Sequence, residues 1–109
     1  MEKKKPIEQA EQIARNNLKE IRTVTEWAEE MGYDCPKYFS RRFKRFYGIS
    51  PKPKLVEFRI EKFLEIVKEN PQTSCFEIGF ELGVGDEDNL NEYIRYHTKQ
   101  PPTWWKNQE

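Results

Sequence analysis

The second half of this sequence repeats the pattern of the first half at a fixed offset of 51 residues, without a gap. From residue 24 to residue 51, four pairs are identical: Glu26/Glu77, Glu30/Glu81, Gly32/Gly83 and Pro51/Pro102. Five more pairs keep an apolar side chain: Trp27/Ile78, Met31/Leu82, Tyr33/Val84, Phe39/Leu90 and Phe43/Ile94. Each copy reads as a helix, a glycine-containing turn and a second helix, which is the pattern of a helix-turn-helix. The sequence therefore predicts a structural duplication; two unrelated helical hairpins with ordinary caps are the alternative.

Capping and turn residues divide the chain into short helices. Thr23 and Glu26 have the form of a capping box, in which two residues satisfy each other's backbone amides, and Ser74 and Glu77 repeat it. Proline suits the first turn of a helix and glycine its end. The predicted helices are Pro6 to Ile21, Thr23 to Gly32, Pro36 to Gly48 with Asp34 or Cys35 as its cap, Pro51 to Asn70, Ser74 to Gly83, Asp86 to about Thr98, and a short segment after Pro102. Since no alternating stretch is long enough for a strand, we predict an all-α fold of about seven helices.

Charge is distributed unevenly along the chain. The 19 basic and 19 acidic residues give a net charge of zero, which taken alone argues against a nucleic-acid partner. The first 70 residues, however, carry a net charge of +4 and the remaining 39 carry −4. The sharpest feature is the segment 36–47, which holds five basic side chains and no acidic one. Such asymmetry indicates an electrostatic partner for one half of the chain.

Composition excludes several classes of function. No apolar run approaches the ~18 residues that a transmembrane helix needs, and the N-terminus has no apolar signal segment. Two cysteines and one histidine cannot complete a four-ligand structural zinc site. The sequence also lacks a nucleophile–base pair, a glycine loop for phosphate and clustered carboxylates. We therefore expect a cytoplasmic protein that is not an enzyme, with no catalytic residue, metal, cofactor, membrane contact or small-molecule site.

A family resemblance is carried by the stretch GYDCPKYFSRRFKRFYGISP, which is followed four residues later by LVEFRIEKFLEIV. This segment resembles the AraC/XylS family of bacterial transcription regulators, whose DNA-binding domain has about this length. Arg59 and Ile60 fit the linker helix of that domain. The positions of the first helix-turn-helix that fit the family pattern are Gly32, Tyr33, Pro36, Tyr38, Phe39, Ser40, Arg41, Phe43, Lys44, Gly48, Ser50 and Pro51.

The second half matches the same family pattern poorly. Four positions fit: Gly83, Asp86, Arg95 and Pro102. Gly79 stands where the family usually has alanine, Lys99 replaces a glycine, and Asn89-Leu90-Asn91-Glu92 replaces the usual aromatic pair, serine and arginine. The resemblance implies an all-α, homeodomain-like fold of two helix-turn-helix subdomains joined by a long linker helix. The expected segments are a first subdomain at 1–50, the linker helix at 51–70 and a second, degenerate subdomain at 71–109.

The resemblance implies a sequence-specific DNA-binding transcription regulator whose partner is double-stranded promoter DNA. On the helix from Pro36, one face is formed by Lys37, Ser40, Arg41 and Lys44, and another by Phe39, Phe43 and Phe46. We expect the aromatic face to be buried and the basic face to enter the major groove, where arginine and lysine read guanine edges. The implied base contacts are Lys37, Ser40 and Arg41, and the phosphate contacts are Arg42, Lys44 and Arg45. The alternative is a solvated charged face without a partner.

The corresponding helix of the second half carries the opposite charge. Asp88, Asn91 and Glu92 stand at the positions of Lys37, Ser40 and Arg41, and helix 87–98 has three acids and one arginine. We expect this second helix to contact DNA weakly or not at all, with Asn91 and Arg95 as the useful contacts if it enters a groove. Otherwise the acidic half faces RNA polymerase or another protein, or only supports the first half. The competing hypothesis is a protein-interaction module that kept an AraC-like fold and lost DNA binding.

Three further features have a structural and a functional interpretation. We expect Arg59 to be a structural hydrogen-bonder, or an ion pair between the subdomains, rather than a phosphate contact. His97 falls on the helical stripe of Leu90 and Ile94, which favours packing or a surface imidazole over a ligand. The basic start at 3–5 either follows a phosphate backbone or is a frayed end.

Overall fold

The computed structural model describes residues 4–107. These residues form one short 3₁₀ helix, Ile7–Gln9, and seven α-helices, with no strand among them. The α-helices are α1 (Ala10–Asn16), α2 (Val24–Glu30), α3 (Pro36–Tyr47), α4 (Pro51–Glu69), α5 (Cys75–Leu82), α6 (Glu87–Thr98) and α7 (Pro102–Lys106). The predicted fold class and the predicted number of helices are therefore confirmed for the described part of the chain.

The chain divides into two compact units, of which the first ends at Phe58 and the second begins at Arg59. The first unit holds α1, α2, α3 and residues 51–58 of α4. The second unit holds residues 59–69 of α4 together with α5, α6 and α7. The outer ends of the expected subdomains, residues 1–3 and 108–109, lie outside the described residues.

Local capping determines where most helices begin, as predicted. At α2 the capping box is complete: the Glu26 amide donates to Thr23 Oγ1 (3.2 Å) and the Thr23 amide donates to Glu26 Oε1 (3.1 Å). Ser74 Oγ accepts from the Glu77 amide at 3.1 Å, and Asp86 Oδ1 accepts from the Asn89 amide at 2.9 Å. Of the two candidate caps for α3, Cys35 occupies the capping position, without a side-chain hydrogen bond, and proline follows in the first turn.

The first predicted helix is shorter than its apolar spacing indicates. We expected a helix to Ile21, but α1 ends at Asn16. The Asn17 backbone leaves the helical region (φ −134°, ψ 32°), and its Nδ2 donates to the Ile13 carbonyl at 2.8 Å. Leu18 and Ile21 are nevertheless buried. The apolar pattern therefore predicted burial correctly and helix length incorrectly, because an asparagine side chain competes with the backbone for hydrogen bonds.

The second unit has an aliphatic core, in which Ile78 and Leu82 of α5 and Leu90 and Ile94 of α6 are fully buried. Gly79 is also buried, and a Cβ atom built there would lie 2.5 Å from the Gly85 carbonyl oxygen. The turn before α6 therefore approaches α5 more closely than an alanine allows. This close approach explains why glycine stands at the position where the family pattern has alanine.

Candidate nucleic-acid interface

A cluster of aromatic rings fixes the inner face of α3. Trp27 of α2 is fully buried, and its ring centroid lies 5.5 Å from that of Phe39 and 4.9 Å from that of Phe43. From residues 51–58, Phe58 closes the cluster at 6.0 Å from Trp27. The Trp27 indole N–H donates to the Ala10 carbonyl at 3.1 Å, so its one polar group is satisfied. Because large aromatic side chains bury much apolar surface in defined geometries, this cluster sets the rotation of α3 about its axis.

The two ends of α3 are held by tyrosines. At its start, Tyr33 is buried against Phe39, with ring centroids 5.3 Å apart. At its end, Tyr47 stacks on Phe43 at 4.2 Å, and its hydroxyl donates to the Ile7 carbonyl at 2.9 Å. Partial burial raises the pKa of Tyr47 above its usual value of 10.0, so the hydroxyl stays a donor at neutral pH.

One part of the predicted aromatic face is wrong. We expected Phe46 to be buried with Phe39 and Phe43, but 53% of Phe46 is exposed. The last turn of α3 rests on the 3₁₀ helix through Tyr47, because the Tyr47 hydroxyl reaches the Ile7 carbonyl. The buried side of that turn therefore points toward Tyr47, and Phe46 lies beside it on the surface, with its ring 4.8 Å from that of Tyr47.

All five basic side chains of α3 lie on the surface. At about 100° per residue, Lys37, Arg41 and Lys44 fall within one narrow strip, and Ser40 lies half-buried beside it. Arg45 flanks the strip, and Arg42 lies about 100° around the helix from Arg41. Within residues 4–107 none of the five cations takes part in an ion pair. The helix therefore presents uncompensated positive charge on the side opposite its fixed aromatic face.

The N-terminal segment adds a cation that sequence reasoning did not place. The Lys4 ammonium lies 4.9 Å from the ring centroid of Tyr38 and 5.5 Å from that of Tyr33, beside the first turn of α3. Lys5 anchors the segment, since its amide donates to the Met31 carbonyl and its ammonium to the Glu30 carbonyl. The only sequence signal was the basic start at 3–5, of which Lys3 lies outside the described residues.

On α6 the equivalent surface is acidic and aromatic. Asp88 and Glu92 are exposed, and Tyr96, which stands where α3 has Arg45, is 73% exposed. Of the two residues expected to contact DNA from α6, Asn91 is half-buried and Arg95 is exposed. The structure thus brings Asn91, Glu92 and Arg95 together on one shallow surface.

His97 is a surface imidazole next to this acidic surface. Its ring lies 4.5 Å from that of Tyr93 and 4.9 Å from that of Tyr96. Partial burial lowers the pKa of His97 below its usual value of 6.5, and the positive charges of Arg59 and Lys99 act in the same direction. The neutral imidazole therefore predominates at pH 7, and His97 adds little positive charge to α6.

Arg59 is a structural hydrogen-bonding residue of the second unit, which is one of the roles expected for it. It is only 7% exposed. Its Nε donates to the Leu82 carbonyl at 3.1 Å and its Nη1 to the Tyr93 hydroxyl at 3.4 Å. Burial raises the pKa of Tyr93 above its usual value of 10.0. The Arg59 guanidinium is therefore buried within the second unit and is not accessible to a phosphate.

Among residues 4–107 there is no group of three histidine, cysteine, aspartate or glutamate side chains arranged to hold a metal ion. No helix in that range is both long enough and apolar enough to cross a membrane.

Comparison with solved structures identifies the fold. No protein-family model matches the sequence, and no curated protein matches it. The C-terminal domain of AraT, a response regulator from Geobacillus stearothermophilus, is similar with a TM-score of 0.80 and 21% identity, over 94% of this chain and 84% of that one. A transcriptional regulator from Chromobacterium violaceum described as containing an AraC-type DNA-binding domain gives a TM-score of 0.73 at 20% identity, over 94% and 89%.

A third solved structure is the DNA-binding domain of AdpA, a global transcriptional factor, in complex with a target DNA. It gives a TM-score of 0.76 at 20% identity, covering 94% of this chain and 90% of that one. At such low identity the likeness concerns the fold, and it agrees with the resemblance carried by the segment 32–51. The chain therefore has the all-helical fold of AraC-type DNA-binding domains.

Proposed function

We propose that this chain is a sequence-specific DNA-binding transcription regulator that places α3 in the major groove. The observation that carries the proposal is the strip of exposed cations on a helix whose other face is locked by Phe39 and Phe43 against Trp27. An α-helix fits the major groove, and a fixed rotation aims the same side chains at the bases in every encounter. The complex of the AdpA domain with its target DNA supports the proposal, since that domain shares this fold.

The exposed side chains on and around this strip have separate proposed roles. We assign base-edge contacts to Lys37, Ser40 and Arg41, because they lie in the first turns of α3 and close together on its surface. Arginine can hold a guanine through two parallel hydrogen bonds, which makes Arg41 the main specificity residue. Contacts to phosphates, which give affinity without reading sequence, are assigned to the remaining cations: Arg42, Lys44, Arg45 and Lys4.

The second unit contributes less to this binding. Asp88 and Glu92 repel phosphates where the first unit has Lys37 and Arg41, so α6 contacts DNA weakly or not at all. Asn91 and Arg95 are the candidate contacts that remain. In this proposal the segment 1–50 reads DNA, the linker helix 51–70 connects the halves, and the segment 71–109 supports the first half or meets RNA polymerase or another protein.

The proposed mechanism is binding alone, in the cytoplasm, without catalysis or cofactor. The alternative is an interaction module that kept the fold and lost DNA. It predicts that the wild-type chain shows no salt-dependent duplex binding and that removing the cations of α3 changes nothing, so one experiment separates the two functions.

That experiment measures duplex binding by fluorescence anisotropy for the wild-type chain and for Arg41→Ala with Lys44→Ala. We expect binding to weaken at least about 30-fold, since one base contact and one phosphate contact are lost. With about four phosphate contacts, the logarithm of the wild-type affinity falls with log salt at a slope near −3.6. The control variant, Lys62→Ala with Lys68→Ala, removes the same charge from α4 and leaves binding within about threefold.

Circular dichroism melting checks that each variant stays folded. Equal binding by the Arg41/Lys44 variant and the wild type, or wild-type binding that does not respond to salt, would refute the proposal.

A further inference from the structure

Two phenylalanines lie on the surface of α5. Phe76 is 61% exposed and Phe80 is 54% exposed. They are four residues apart, so they are neighbours on one side of the helix. Next to this aromatic row lies an acidic row, formed by the exposed side chains Glu77 and Glu81. Together these four residues, which we call the α5 surface, combine apolar area with negative charge.

The equivalent positions of the first unit carry no phenylalanine. At an offset of 51 residues, Phe76 and Phe80 correspond to Thr25 and Glu29 of α2, which are exposed and polar. The acidic row, in contrast, is the same in both copies, since Glu77 and Glu81 correspond to Glu26 and Glu30. The aromatic row is therefore a property of the second unit alone.

The α5 helix is held in a way that keeps the phenylalanines outside. Its inner face is fixed by the fully buried Ile78 and Leu82. Gly79 packs so closely on the turn before α6 that a Cβ atom would lie 2.5 Å from the Gly85 carbonyl oxygen. Rotation that buried Phe76 would break this packing, so more than half of each phenylalanine stays exposed. Exposed apolar area bordered by charged residues is typical of a protein–protein contact.

We propose that the α5 surface binds an amphipathic helix of a partner protein, one with apolar side chains in one row and lysine or arginine in the next. Apolar side chains of such a helix pack on Phe76 and Phe80, and its cations lie over Glu77 and Glu81. The segment 71–109 carries a net charge of −4, which attracts a basic helix and repels nucleic acid and anionic membranes. An amphipathic helix lying on an apolar surface is a common mode of recognition. The inference does not depend on DNA binding by α3.

The test uses the full isotope-labelled chain and two synthetic helical peptides, with leucine at positions i, i+3, i+4 and i+7 and either lysine or glutamate elsewhere. We expect the leucine–lysine peptide to bind saturably and to shift the amide signals of α5, and the leucine–glutamate peptide to bind at least about tenfold more weakly. Phe76→Thr with Phe80→Glu copies the α2 residues onto α5, and this variant should lose at least about tenfold in affinity.

Two more variants keep the test decisive. Thr25→Ala with Glu29→Ala changes the matched positions of α2 and should bind the leucine–lysine peptide like the wild type. Glu81→Lys should weaken binding of that peptide and strengthen binding of the leucine–glutamate peptide. Unchanged affinity in the Phe76/Phe80 variant, or equal binding of both peptides to the wild type, would overturn the proposal. So would self-association in sedimentation that the Phe76/Phe80 variant abolishes, because the occupant is then a second copy of this chain.

Discussion

Lys99 follows the C-terminus of α6 in a left-handed conformation that L side chains adopt at a cost. Its φ is 70°, and it is the one non-glycine residue with positive φ among residues 4–107. Gly48 ends α3 at the equivalent position of the first unit, with φ 80°. A Cβ atom added to Gly48 would meet nothing within 4 Å. A substitution there therefore measures the cost of the left-handed backbone conformation without a contribution from steric clashes.

Exchanging these two residues should therefore move stability in opposite directions. We expect Lys99→Gly to raise the free energy of unfolding by about 1 kcal/mol and Gly48→Lys to lower it by about 1 kcal/mol, from the cost of a left-handed side-chain residue. Chemical denaturation of both variants measures the change. Destabilisation by Lys99→Gly would show that the contact of the Lys99 ammonium with the Tyr96 ring (5.6 Å) outweighs the backbone strain.

His97 gives a pH-dependent prediction that can be followed without ambiguity, because the chain has one histidine. Its pKa in the folded state lies below 6.5, so the unfolded chain binds the proton more tightly. The stability linked to His97 is thus complete above pH 6.5 and is lost as the pH falls toward the folded-state pKa. NMR titration should give a midpoint below 6.5, which rises in Lys99→Gly because one positive charge is removed. A midpoint at or above 6.5 would contradict this account.

The helical period predicted correctly which α3 side chains are buried or exposed at most positions. It was wrong where burial depends on a contact with a distant part of the chain. Phe39 and Phe43 are buried and the five cations are exposed, as their spacing indicates. Phe46 has the same spacing and is exposed, because the hydrogen bond from Tyr47 to Ile7 spans 40 residues. The position of Lys4 beside Tyr38 depends in the same way on backbone pairing that no local pattern reports.

At the scale of the element, α3 and α6 have the same length and place in the repeat, but carry opposite charge. Each has 12 residues and is buried along one apolar face. Their outer faces differ, since Lys37 and Arg41 of α3 are replaced by Asp88 and Glu92 in α6. The start of α6 could be predicted from the cap Asp86, and the start of α3 from the proline in its first turn. The end of α1 could not, because there an asparagine side chain takes a backbone carbonyl from the helix.

This contrast predicts the effect of reversing one charge on α6. If α6 stays away from phosphates, Glu92→Arg should strengthen duplex binding no more than Glu69→Arg, which makes the same charge change at an exposed site at the end of α4. Both variants are measured by anisotropy against salt. A gain of about tenfold specific to Glu92→Arg, with a salt slope steeper by about 0.9, would place α6 beside the DNA backbone.

At the scale of the whole molecule, a net charge of zero conceals two units of unlike surface. The segment 1–70 carries +4 and the segment 71–109 carries −4, although both units repeat one helical pattern. TM-scores of 0.73 to 0.80 at 20 to 21% identity show that this pattern is kept when few residues are shared. The all-α class and the number of helices could thus be predicted from caps, glycines and apolar spacing, whereas the AraC-type arrangement was implied by the family resemblance. Surface charge has no such constraint, so the two units can differ in what they bind.

The central claim is that α3 alone makes most of the contacts to bases. It is tested most directly by selecting bound sequences from a pool of random duplexes. We expect enrichment of one short block of conserved base pairs, matching a single helix in a single major groove. Two recognition helices in successive grooves give two blocks about 10 base pairs apart. Enrichment of two such blocks would contradict the assignment of binding to α3 alone, and enrichment of no sequence would contradict specific DNA binding.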